Sequence, residues 1–124
     1  MAAQAEVDTV VDNAVVLVGR VSAAAEEREM PSGDLMVSWR VVVDRRPTGA
    51  ARRDAPRAPT VDTIDCVAWS AATRRAALAL APGDVVRVEG ALRRRFWRAG
   101  AAAASRCEVE VAALRRLKRA QASR

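Results

Sequence analysis

Three residues near the end of the chain carry the most chemistry. In the segment EGALRRRFW, a strand of period two projects Arg93, Arg95 and Trp97 from one face. Leu92, Arg94 and Phe96 then project from the other, where Phe96 is expected in the core. Two guanidinium groups beside an indole suit a polyanion that also carries flat rings. The cations hold phosphates and the indole stacks on a base, worth about 1–3 kcal/mol per base. The competing reading of Trp97 is a core or interface tryptophan, and its two arginine neighbours weigh against that.

Catalysis has little to work with. The chain has no histidine and only two cysteines, which removes the common zinc sites and the Ser-His-Asp and Cys-His arrangements. No paired carboxylates suggest acid–base work; Glu108 and Glu110 read as the polar face of a strand. We expect no catalytic residues, no metal and no cofactor. No apolar run approaches the ~18 residues of a membrane span, so no membrane partner is expected. Cys66 and Cys107 lie among apolar neighbours and read as buried, reduced thiols of a cytoplasmic protein.

The charge is uneven. Residues 1–30 hold six acids against two bases, whereas residues 91–124 hold ten bases against two acids. Such a basic half suits nucleic acid. Of the 21 cationic residues, 20 are arginine, and 28 of the 124 residues are alanine. Part of that bias is what a GC-rich coding sequence produces.

The elements that must position these residues follow from apolar spacing. NAVVLVGRV is a β-branched strand with a bulge or bend expected at Gly19. The stretch after it shows no strand periodicity before the turn signal Pro31-Ser32-Gly33-Asp34. DLMVSWRVVVD alternates, with Leu35, Val37, Trp39, Val41 and Val43 on the buried face and Ser38 and Arg40 opposite. Residues 44–62 hold three prolines and five arginines, and read as a long loop. VDTIDCVAWS is a third strand, SAATRRAALAL a short helix, and DVVRVEGALRRRFW a fourth strand. RAGAAAAS reads as a loop, RCEVEVAAL as the last strand and residues 114–124 as a basic tail. Leu114 and Leu117 at i, i+3 allow a short helix in that tail; a frayed cationic end is the alternative. The expected fold is mainly β: a five-stranded barrel of the oligonucleotide-binding (OB) type, with one helix between strands 3 and 4. It occupies residues 13–113, after an N-terminal segment of residues 1–12.

Taken together, these segments resemble the bacterial single-stranded DNA-binding proteins. The resemblance runs from Asn13 to Ala113, and is carried above all by EG-x-L-R-x-R-x-W at Glu89–Trp97. A short paralogue of the actinobacterial kind is the implied form. The implied function is sequence-independent single-stranded DNA binding in replication, recombination or repair, by a nucleoid-associated homo-oligomer, tetramer or dimer. Trp69 stands where the family carries a stacking aromatic, so it joins Arg93, Arg95 and Trp97 as a binding candidate. Arg20 on the first strand joins them, as do Arg45, Arg46, Arg52 and Arg53 (with Arg57) on the long loop. Thr63 replaces a stacking tryptophan and Asp65 a base, and no aromatic is found near the end of the second strand. A weaker, more salt-sensitive grip is expected, since each lost stack costs about 1–3 kcal/mol. The basic ending also departs from the family's acidic C-terminal tip, so recruitment of replication proteins through such a tip is not expected. RNA is the alternative polymer, because phosphate contacts and stacking separate it poorly from DNA. A different reading is an OB-fold protein–protein module with weak or lost nucleic-acid binding.

Overall fold

The computed structural model describes residues 10–45 and 60–121. Six strands and one helix follow in chain order: β1 (Val15–Val21), β2 (Glu26–Glu29), β3 (Leu35–Asp44), β4 (Val61–Ala68), α1 (Ala71–Leu78), β5 (Val85–Ala99) and β6 (Ala102–Lys118). The sheet order is β1-β5-β6-β4-β3-β2, and β1 also pairs with β3, which closes β1, β5, β6, β4 and β3 into a five-stranded barrel. This is the expected OB architecture, with α1 between the third and fourth barrel strands.

The period-two valines explain the closure. Val37, Trp39 and Val41 of β3 meet Cys66 and Ala68 of β4, Val86 and Val88 of β5, and Val109 and Val111 of β6 in one core. Helix α1 covers this core with Ala77, and Leu80 follows it inward. Its start is fixed by Ser70, whose hydroxyl accepts from the Thr73 N–H at 3.1 Å.

Gly19 is not a bulge. The β1–β5 register runs unbroken through it. A Cβ there would lie 2.3 Å from the Val42 carbonyl oxygen, so glycine lets β1 cross close to β3 at the barrel seam. The irregularities fall instead at Val85/Val86 and Glu89/Gly90 of the β5–β6 ladder. At the second, Ala112 is the extra residue, and Val111 and Leu114 both stay on the inner side.

Three further expectations are corrected. β2 forms where no strand was expected, because Glu26–Glu29 are all exposed and pair with β3 by backbone alone. The RAGAAAAS segment is no loop: β5 and β6 extend through it and turn at Gly100–Ala101, with Gly100 at φ 64°. The start of the basic tail is neither helical nor frayed, since β6 runs to Lys118 and pairs with β5 back to Val85. Beyond it, the buried Asp84 carboxylate accepts from Ala120 N–H at 2.7 Å and from Ala81 N–H at 2.9 Å. These hydrogen bonds, with Arg116 at 3.4 Å, hold the carboxyl below its ordinary 3.8.

Past Gly90, β5 has lost β1 and pairs only with β6. Residues 92–107 therefore form a two-stranded arm leaving the barrel. Its base is strapped by Asn13, whose amide donates to Leu92 C=O at 2.8 Å and accepts from Leu92 N–H at 2.9 Å.

Candidate nucleic-acid interface

The arm and the adjoining barrel wall share one outer face. On β5 it carries Arg93, Arg95 and Trp97; directly opposite on β6 stand Glu108, Arg106 and Ala104. The cross-strand partners Arg40 of β3 and Asp65 of β4 continue it. The guanidinium carbons of Arg95 and Arg106 lie 5.7 and 5.8 Å from the centre of the Trp97 ring. Both are within cation–π range of the partly exposed indole.

Every one of these arginines meets a carboxylate. Arg93 Nε lies 3.1 Å from Glu110, Arg95 Nε 3.2 Å from the buried Glu108, and Arg40 Nε 2.9 Å from Asp65. Arg106 Nε approaches the other Asp65 oxygen at 3.8 Å. Glu108 and Glu110 are thus counter-ions to the arginines of this face rather than only its polar filler. Four guanidinium groups face three carboxylates, so a positive excess survives. Each guanidinium has five N–H donors and spends only part of them on its carboxylate. The remainder can take other acceptors.

Two depressions flank this ridge. One, of about 340 Å³, is bordered by Arg40, Asp65, Arg95, Arg106 and Glu108, with Met36 and Trp39 among its lining. The other, of about 600 Å³, is shallower and bordered by Asn13, Val16, Trp69, Arg93 and Glu110.

A cationic, aromatic outer wall on an OB barrel is a face for single strands. Comparison with known proteins agrees: residues 12–117 match the model of the single-strand binding protein family. The chain belongs to that family. A single-stranded DNA-binding protein of Thermotoga maritima is 35% identical over 86 residues, which are 68% of this chain and 58% of that relative. The chain thus matches less than two thirds of the relative's length. In three dimensions it is similar to a Plasmodium falciparum structure described as an SSB complex with ssDNA. The TM-score is 0.69 at 17% identity, over 90% of this chain and 99% of that one. The likeness supports the OB barrel.

In this member of the family, the expected site residues divide between several places. Arg95 borders the first depression and lies 5.7 Å from the Trp97 ring on the arm, and Arg93 joins Trp69 at the second depression. Arg20 pairs with Asp44 at 3.8 Å and Arg45 with Asp62 at 2.6 Å, and neither borders a depression. Arg46, Arg52, Arg53 and Arg57 lie outside the described residues.

Two other expectations fail for one reason. Phe96 is 68% exposed rather than in the core, and Cys107 is exposed rather than buried. Both follow the inward-pointing parity of their strands, but in the arm that side has no opposing sheet. Cys66 is buried as expected, and burial first, then the Asp65 and Glu108 charges, push its thiol up to about 12. Sequence reasoning placed Asp65 on this face but missed Arg40, Arg106, Glu108 and Glu110 as parts of it. The alternation Arg106, Glu108, Glu110 was the available signal for most of them.

Proposed function

We propose that this protein binds single-stranded DNA along the outer face of β3, β4, β5 and β6 without requiring a particular sequence. Arg93, Arg95, Arg40 and Arg106 hold phosphates, while Trp97 and Trp69 stack on bases. The observation that carries this reading is the exposed Trp97 indole with both Arg95 and Arg106 within cation–π distance of its ring. Arg20 and Arg45 extend the phosphate path, as do Arg46, Arg52 and Arg53. The setting is replication, recombination or repair at the nucleoid in the cytoplasm. The working form is a homo-oligomer, tetramer or dimer; the exposed Val16 and Val18 of β1 support it, since they give a second copy apolar surface to cover.

Titration with oligo-dT at low salt tests the reading. Tryptophan fluorescence should quench on binding and less so in Trp97→Ala, with affinity falling about 5- to 150-fold for the lost stack. Duplex DNA should bind more weakly in parallel. No quenching and no binding at low salt would favour the protein–protein module instead, for which the carboxylate partner of every interface arginine is the supporting observation.

A further inference from the structure

The depression between β3, β4 and the arm, walled on its far side by residues 22–24 and by Glu26 and Arg28 of β2, has a chemistry that phosphate binding alone does not require. A cleft for a backbone needs only cations, yet here Asp65 stands on the border with Arg40 on one side and Arg106 on the other. The Asp65 side chain is 27% exposed, so it is reachable from outside, unlike Glu108 at 4%. Its two oxygens offer about four acceptor sites. Arg40 Nε takes one at 2.9 Å, and Arg106 stands off the second oxygen at 3.8 Å. Acceptors are left over, side by side with guanidinium donors. The Trp39 indole Nε1–H, on a residue that also lines this depression, is buried and finds no hydrogen-bond partner among the described residues. At about 340 Å³ the space lies within the ~300–1,000 Å³ of sites that take small planar ligands.

A pocket edge that reads donor, acceptor, acceptor is complementary to one nucleobase in particular. Guanine presents the O6 acceptor beside two adjacent donors, N1–H and N2–H. The paired donors meet the Asp65 carboxylate, and O6 meets Arg106 or Arg40. Thymine has a single N–H between two carbonyls, so it turns oxygen lone pairs toward the carboxylate. Adenine and cytosine each offer one amino group beside a bare ring nitrogen. We propose that this depression is a base-reading pocket in which Asp65, with Arg40 and Arg106, prefers guanine. The proposal rests on the single-strand reading above: arginines and tryptophans grip any strand, and this pocket adds a preference at one nucleotide.

The test uses fluorescence anisotropy of labelled oligo-dT strands that carry, at one central position, thymine, guanine or hypoxanthine, which is guanine without its 2-amino group. The guanine strand should bind on the order of tenfold tighter than the all-thymine strand, with hypoxanthine between them. Asp65→Asn should move the two ends in opposite directions. The all-thymine strand binds tighter, because a negative charge leaves the face, while the guanine advantage disappears. A merely structural role for Asp65 would weaken both together. Equal binding of the three strands to the wild-type protein overturns the pocket and leaves single-strand binding standing. Failure to bind any of them at low salt overturns the reading beneath it. The hypoxanthine comparison needs no variant, so it decides the matter even if Asp65→Asn folds poorly.

Discussion

On the proposed reading, the carboxylates that pair with the outer-face arginines should restrain DNA binding, and Glu110→Gln measures by how much. Glu110 Oε1 lies 3.1 Å from Arg93 Nε, and both side chains are about half exposed. A phosphate docking on the free side of the guanidinium, at ~2.9 Å, would stand ~6 Å from the carboxylate. Two unit charges at that distance repel by about 0.7 kcal/mol in water and nearly 3 kcal/mol at an effective dielectric constant of 20. Half-exposed groups sit toward the lower figure, about 0.7–1.4 kcal/mol, which is roughly a three- to tenfold gain in affinity when the charge is removed. The exposed ion pair itself contributes about 0–1 kcal/mol to folding, so the melting temperature should shift by only a few degrees. Anisotropy with labelled oligo-dT between about 50 and 200 mM salt reads both terms. The variant should bind tighter at low salt. Its log–log salt dependence should also steepen by about 0.7, the share of one additional phosphate contact on a single strand. Unchanged affinity and slope would refute the idea that Glu110 competes with phosphate for Arg93.

Other expectations concern the scaffold. Gly90→Ala would place a Cβ 2.0 Å from the Glu110 carbonyl oxygen, against backbone that cannot swing away. Denaturant unfolding should show a loss of about 2 kcal/mol or more. Asp84 carries a lowered carboxyl pKa, so its stabilisation is fully present above its unfolded value, near 3.8, and is lost as pH falls through the folded value. In acid-unfolding titrations, Asp84→Asn should therefore be less stable at neutral pH, with the gap to wild type closing below about pH 4. Thiol labelling of the folded protein at neutral pH should modify the exposed Cys107 quickly and spare Cys66, whose thiol is buried and held near 12.

The barrel was legible in the sequence wherever valines alternate. Val37, Trp39 and Val41 of β3 and Val86 and Val88 of β5 announce their buried faces, and the alanine-rich SAATRRAALAL announces the helix. β2 was invisible because Glu-Glu-Arg-Glu has no apolar residue to show a period, and its pairing is backbone only. The arm was illegible for the opposite reason. Phe96 and Cys107 keep the inward parity of their strands, but parity does not reveal where the barrel stops. Of the interface, Arg93, Arg95 and Trp97 could be read along one strand. Their partners Asp65, Arg106, Glu108 and Glu110 lie on other strands, and register is a property of closure.

The arm has a consequence for how such a protein can change. Between Phe96 and Arg106 its described side chains have no place in the barrel core. Substitutions there alter what the surface grips without opening a cavity beneath it. A binder built this way can be retuned at its tip, by evolution or by design, while the valine barrel goes on folding as before.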